Sequence, residues 1–192
     1  MKIIAFGHRQ NMGKDTAAEY LMERGWVRLS FADPLKRVVS EMFKVDLDLF
    51  NDGEKKNVII DYWNKTPRDL LIMCGCKMVR DFKDVDFNGE SHWIKLLNGE
   101  LLKLMKNNSK CIKVVITDLR FPNEFEYFKK IGAVIVKVSR DVKLYGGPDS
   151  ELENFIFDYE IKNNGTKKML WEQVLSISSK CKDVEILPMF IN

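Results

Sequence analysis

Gly7-His8-Arg9-Gln10-Asn11-Met12-Gly13-Lys14-Asp15-Thr16 stands between a short apolar run, Ile3-Ile4-Ala5-Phe6, and a helical pattern carried by Ala17, Ala18, Leu21 and Met22. Strand, glycine-bounded turn, Gly-Lys and helix start are the parts of a phosphate-binding loop. In such a turn successive backbone N–H groups point inward, the helix N-terminus adds partial positive charge, and Lys14 reaches the outer phosphates. The stretch therefore reads as the seat of a nucleoside triphosphate. It departs from the usual pattern twice. Five residues rather than four separate Gly7 from Gly13, so His8 or Arg9 joins the curve or the turn is wider. The position after the lysine, ordinarily a hydroxyl that meets Mg²⁺, is Asp15, with Thr16 following; either can serve, because a carboxylate is a competent hard oxygen ligand.

The rest of the composition narrows the class. At 192 residues the chain fits one domain, long enough to bury its own core. A net charge of +3 gives no reason to expect nucleic acid as a partner. The first apolar run is too short for a signal peptide and no segment has the length of a membrane span, so a soluble, cytoplasmic protein is the expectation. Cys74, Cys76, Cys111 and Cys181 lack metal spacing and read as free thiols. Two histidines, His8 and His92, exclude a zinc-protease helix.

Outward from the loop, Gly25 stops the first helix and Trp26–Phe31 reads as a second strand. Asp33 is expected to cap the following helix, with Pro34 in its first turn. Lys36 and Arg37 lie near that N-terminus, and Lys36 is a candidate for substrate contact. From Asp46 to Trp63 the chain becomes polar and aromatic, which reads as a mobile excursion. Thr66-Pro67-Arg68-Asp69 opens a helix with a capping-box pattern. Arg68 and Arg80 stand roughly 18 Å apart along a straight helix, so at most one reaches a given phosphate unless the helix bends, for which Gly75 is the natural place. Ser91-His92-Trp93 begins another helix; Trp93 is a candidate to stack on a base, although a tryptophan at a helix start is more often core.

Cys111–Thr117 is the clearest buried strand, nearly continuously apolar as in a parallel sheet covered on both faces. It delivers Asp118 and Arg120 to the edge where open α/β sheets bind ligands. Asp118 suits Mg²⁺ held through water, and Arg120 suits a phosphate. Ala133–Val138 reads as a further strand leading to Arg140 and a glycine-rich loop with the composition of a lid. Phe157–Ile161 reads as a last strand, Asn163-Asn164-Gly165 as a turn, and Thr166 as the cap of a final helix.

Taken together, Gly13-Lys14-Asp15-Thr16, Phe31-Ala32-Asp33-Pro34-Leu35-Lys36, Thr66-Pro67-Arg68-Asp69-Leu70-Leu71, Thr117-Asp118-Leu119-Arg120-Phe121-Pro122-Asn123-Glu124, Ser150-Glu151 and Asp158–Asn163 resemble, in that order, the bacteriophage-type deoxynucleoside monophosphate kinases. The chain is similar, more distantly, to animal-type phosphomevalonate kinase. The resemblance implies an α/β, three-layer P-loop kinase sandwich: five parallel strands, helices on both faces, an acceptor-binding helical insertion over 44–107 and a lid over 140–156. It implies ATP held by Gly13, Lys14, Asp15 and Thr16, acceptor phosphate met by Arg120 and Arg80, Arg140 closing over the transferring group, and Asn163 against adenine. It also implies a role with Mg²⁺ carried on ATP, small nucleotides as the only partners apart from a reasonable dimer, and the host cytoplasm if the origin is viral. Transfer of a phosphoryl group from ATP to a deoxynucleoside monophosphate is thus the leading expectation; a kinase for another phosphorylated acceptor and a slowly hydrolysing nucleotide switch are the rivals. Tyr62, Trp63 and Trp93 are the candidates for excluding a ribose 2′-hydroxyl.

Overall fold

Five short strands pair into one parallel sheet in the computed structural model, which describes residues 1–82, 89–107, 111–141 and 151–186. The strands are β1 (Lys2–Gly7), β2 (Val27–Leu29), β3 (Lys113–Leu119), β4 (Val134–Ser139) and β5 (Tyr159–Lys162), in the spatial order β2-β3-β1-β4-β5. Register pairs such as Ile4↔Val115, Ile4↔Val134 and Val136↔Tyr159 place β1 at the centre. Between the pairs Ala5↔Ile116 and Gly7↔Leu119, β3 carries one residue more than β1. That bulge falls at Thr117–Asp118 and re-aims the strand end next to the loop, the usual use of such an irregularity.

The chain forms two compact units, Met1–Ser30 with Leu97–Asn192, and Phe31–Leu96. In the first, the sheet is covered on both faces. Ile4, Phe6, Val115, Val136, Val138 and Ile161 pack on Ala17, Ala18 and Leu21 of α1 (Lys14–Met22) and on Leu170, Val174 and Ile177 of α7 (Lys167–Ser178). Strand side chains alternate, so the equally buried Ile3, Ala5, Val114, Ile116 and Ile135 face the opposite way. On β4, α6 (Pro122–Lys130) lies across the sheet with Phe125 and Phe128 fully or nearly buried. Each such side chain removed from water is worth about 1.5–3 kcal/mol, so the sheet and its helices are the main store of stability.

The second unit has a small core of Val39, Val45, Phe50, Leu70 and Cys74, drawn from α2 (Ala32–Phe43), α3 (Leu47–Asn51), α4 (Pro67–Ile72) and their continuations. Two expectations change here. Asp33 is not the cap of α2: the helix begins at Ala32, and Asp33 sits in its first turn. The stretch 46–63 is not a plain excursion, because Asp46 caps α3 by accepting from Asp48 N at 3.0 Å and a 3-10 turn follows at Lys55–Asn57. The cap at Thr66 is as read: its Oγ1 accepts from Asp69 N at 3.1 Å while Asp69 Oδ2 accepts from Thr66 N at 3.0 Å.

After α4 the chain widens into a π-helical segment, Met73–Arg80. Gly75 lies within it, at a close approach of two other elements. A Cβ there would stand 2.5 Å from Leu35 Cδ2 of α2, and the Gly75 carbonyl accepts from the Trp93 indole at 3.1 Å. A glycine lets α2 press in, and the indole occupies a carbonyl that the widened turn presents outward. Trp93 belongs to α5 (Gly89–Asn107), which contributes to both units. All four cysteines are free, with the Cys74 and Cys181 thiols pushed up by burial.

Candidate active site: a pinned phosphate loop

The loop between β1 and α1 solves its extra length with left-handed residues. His8 has φ 87°, Asn11 φ 60° and Gly13 φ 96°. Only the last is a glycine; the other two are conformations that L-residues avoid and that surrounding contacts must hold. His8 therefore does take part in the curve. Gly13 is required twice over, since a Cβ would also lie 2.2 Å from Asn163 Nδ2.

Lys14 turns back over this loop. Its Nζ donates to His8 O at 3.2 Å and to Arg9 O, and the side chain is buried. Burial and the neighbouring Arg120 guanidinium lower its pKa to about 8, against the pull of the Asp15 and Asp118 carboxylates. These four groups, from α1 and from the end of β3, are thus brought into one electrostatic neighbourhood. The parallel sheet does this: its central strands end at the same edge, so a loop after β1 and a carboxylate on β3 come together.

Asp118 is held by Ser30, at the end of β2, whose Oγ donates to Asp118 Oδ2 at 2.8 Å. Ser30 is buried, so the carboxylate has a fixed orientation. Arg120 follows two residues later. Its backbone N–H and that of Phe121 both donate to Glu124 Oε2, at 3.0 and 3.2 Å, so the buried Glu124, in the first turn of α6, reaches back to the N-cap Phe121 and anchors the Arg120 main chain. The Arg120 Nε is buried with no hydrogen-bond partner among the described residues, the condition of a guanidinium prepared for an anion.

Asp15 points outward, its side chain 80 % exposed and 3.9 Å from Arg28 Nε. The Thr16 carbonyl accepts from the Trp171 indole at 3.2 Å, tying α1 to α7. Hard oxygen donors suited to Mg²⁺ are therefore present at Asp15 and Asp118, although no cluster of three or more metal-binding side chains occurs among the described residues. Asn163 uses its amide on the loop itself, donating from Nδ2 to Met12 O at 3.0 Å. Arg140 is exposed just past β4, where Asn164 fixes the chain by bonding both Asp141 N, at 2.8 Å, and Asp141 Oδ2, at 2.6 Å. Most of the expected lid, 142–150, lies outside the described residues.

The remaining candidates belong to the second unit. Lys36 donates to Asn51 Oδ1 at 3.0 Å and lies 3.7 Å from Asp33 Oδ1. Arg68 and Arg80 are half-buried, one in the first turn of α4 and one at the end of the π-helical segment. Trp93 is core, its ring buried and its N–H on Gly75 O, rather than a platform displayed for a base. Trp63 likewise packs edge-on against Phe43 and bonds Phe43 O at 3.0 Å, while Tyr62 is 86 % exposed.

Three positioning groups escaped the reading of the sequence: Ser30, Glu124 and Glu153. Ser30 was the most accessible of them, as a polar residue closing an apolar strand at the ligand edge. Glu153 had no local signal. Its carboxylate receives Arg9 Nε at 2.6 Å and stands 3.2 Å from His8 Nε2. Burial would raise its pKa, but the bonds from Arg9 and His8 outweigh that and lower it. The His8 imidazole is lowered by burial, with the Lys137 and Arg9 charges adding to the effect and Glu153 opposing it.

No family model matches the chain. It is 34% identical over 188 residues to a protein of Acanthamoeba polyphaga mimivirus named "Putative deoxynucleotide monophosphate kinase", covering 92% of this chain and 95% of that one. Among solved structures, an unliganded sugar kinase from Janibacter sp. HTCC2649 superposes with a TM-score of 0.47 at 12% identity, over 97% of this chain and 95% of its own. TT1252 from Thermus thermophilus gives a TM-score of 0.47 at 13% identity, over 94% and 98%. Neither structural likeness is close enough to bear on function. The mimivirus likeness is, since it runs at 34% identity through nearly the whole of both sequences, and by it this chain belongs to the same kinase family.

Proposed function

We propose that this kinase transfers the γ-phosphoryl group of ATP to a deoxynucleoside monophosphate, giving ADP and the deoxynucleoside diphosphate. The observation that carries the proposal is the convergence of Lys14, Asp118 and Arg120 on one loop at the carboxyl edge of a parallel sheet. The name of the mimivirus relative supports the choice of acceptor.

Phosphoryl transfer asks a protein mainly to align the reacting oxygens, offset spreading negative charge and exclude water. In this reading the loop amides and the Lys14 ammonium hold the outer phosphates of ATP, Lys14 giving up its carbonyl partners to do so. Arg120, with its Nε unspent, holds charge at the transferring group or the acceptor phosphate; Arg140 closes from the end of β4. Lys36, Arg68 and Arg80 of the second unit bind the acceptor. Asp118, steadied by Ser30, and either Asp15 or Thr16 would hold Mg²⁺, directly or through water. When bound, the ion supplies charge neutralisation across the phosphates.

ADP release from ATP, measured with and without a panel of deoxynucleoside monophosphates, ribonucleoside monophosphates and phosphomevalonate, tests this. Stimulation by deoxynucleotides is the expected result. Turnover independent of any acceptor, or stimulation by phosphomevalonate alone, overturns it.

A further inference from the structure

The widened phosphate loop has a second anchor, and it comes from the segment before β5. We propose that Glu153 is a positioning residue of the nucleotide site: by gripping His8 and Arg9 it holds the six residues between β1 and α1 in the curve that places Lys14 for a triphosphate. The inference rests on the reading that this loop is the ATP site, and goes beyond it by giving the inserted length a function.

Four observations support it. The loop has two non-glycine residues in the left-handed region, His8 at φ 87° and Asn11 at φ 60°, and such backbone persists only where neighbours over-determine it. Its two ends are pinned by distant parts of the chain: Glu153 meets Arg9 Nε at 2.6 Å and approaches His8 Nε2 to 3.2 Å, while Asn163 bonds Met12 O at 3.0 Å. The carbonyls of the two residues that Glu153 grips, His8 and Arg9, are those that Lys14 Nζ uses. A displacement of His8 or Arg9 is therefore passed directly to the ammonium. Finally, His8 is only 6 % exposed and, among the described residues, its Nδ1 has no hydrogen-bond partner, while its Nε2 faces Glu153 at 3.2 Å.

The carboxylate also has an electrostatic role. His8, Arg9, Lys137, Lys14 and Arg120 put several cationic or protonatable groups at this edge of the sheet, and Lys137 acts on His8 through its charge. By engaging Arg9 and His8, Glu153 offsets part of that charge at the loop. Glu153 touches neither substrate in this arrangement; it acts through His8 and Arg9.

Equilibrium binding of ATP and steady-state kinetics on Glu153→Ala, Glu153→Gln, Arg9→Ala and the Arg9→Ala/Glu153→Ala double variant test the inference, with thermal melts of each. Removal of one partner of a charged hydrogen bond predicts about a tenfold weaker ATP affinity for Glu153→Ala. Glu153→Gln, which keeps an acceptor oxygen, should recover part of that loss. The double variant should be no weaker than the worse single variant, because the two side chains act as one unit. Acceptor affinity measured without ATP should not move. Unchanged ATP affinity in Glu153→Ala overturns the proposal, as do additive losses in the double variant or an equal loss for ATP and acceptor. Lys14→Ala in the same assay keeps the two readings apart. If it binds ATP as tightly as the parent, the loop is not the ATP site; if it loses ATP while Glu153→Ala does not, the loop assignment stands and only the role of Glu153 fails.

Discussion

The two units of this chain spend their side chains differently. In Met1–Ser30 with Leu97–Asn192, most of the candidate groups have a partner that fixes them: Lys14 on the loop carbonyls, Asp118 on Ser30, the Arg120 backbone on Glu124, Asn163 on Met12. Phe31–Leu96 has a small core of its own, and large apolar groups such as Val38, Met42, Val58, Ile59 and Tyr62 are more than half exposed. A sheet buried on both faces can hold a charged site to a fixed geometry, which phosphoryl transfer requires. A small core with exposed apolar side chains suits a surface that adapts to a second substrate. The difference teaches where to look for each defect: changes in the first unit should affect ATP and turnover, and changes in the second should affect the acceptor.

The largest effect expected is that of Lys14→Ala, which should lower turnover by about 10³-fold or more while leaving the fold intact by circular dichroism. A folded variant that keeps its rate would remove the first unit's claim to the chemistry. Ser30→Ala should cost about 10- to 100-fold in activity or in Mg²⁺ affinity, as loss of a group that orients a metal-binding carboxylate commonly does; titrating activity against Mg²⁺ reads it. Arg80→Ala sharpens the contrast from the other side. Its acceptor KM should rise about tenfold with the ATP KM unchanged, and equal changes in both would dissolve the division of labour.

A pH dependence follows from Lys14. Its pKa is lowered to about 8 in the free protein, so the ammonium is charged below that value and lost as pH rises through it. A bound triphosphate favours the charged form, so binding takes up a proton above about pH 8 and ATP affinity falls with further increase in pH. Calorimetry in buffers of different ionisation heat should show that uptake, and Lys14→Arg, always charged, should abolish it. The sign for folding is opposite: because the unfolded lysine holds its proton up to its ordinary pKa of 10.5, this group adds stability as pH rises from about 8 to 10.5. The smallest effect expected is in the second unit. Trp93→Phe removes the bond to Gly75 O and should cost about 1 kcal/mol, a fall of a few degrees in a thermal melt.

Much of the fold was legible from local signals. β1 and β3 announce themselves by unbroken apolar runs, α4 by the Thr66–Asp69 box, and α7 by Thr166, whose Oγ1 accepts from Met169 N at 3.3 Å. The grouping of Lys14 with Asp118 and Arg120 was legible because each stands where a strand of the sheet ends. What could not be read depends on residues far apart in sequence. Ser30 meets Asp118 and Arg9 meets Glu153 only because the sheet brings them together. Leu35 and Trp93 converge on Gly75 within the π-helical segment, and a helical periodicity carries no sign of that. For Trp93 burial was the commoner expectation and stacking on a base the alternative; the partner that decides, Gly75 O, lies outside its own helix.

The central claim is that the amides between Gly7 and Thr16, with Lys14, hold the triphosphate. An amide-resolved NMR titration with Mg·ATP tests it most directly. The account predicts that the largest shifts fall on the backbone N–H groups from Asn11 to Thr16, and that they vanish in Lys14→Ala. Saturable ATP binding that leaves those amides unmoved, with its largest shifts elsewhere, would contradict it.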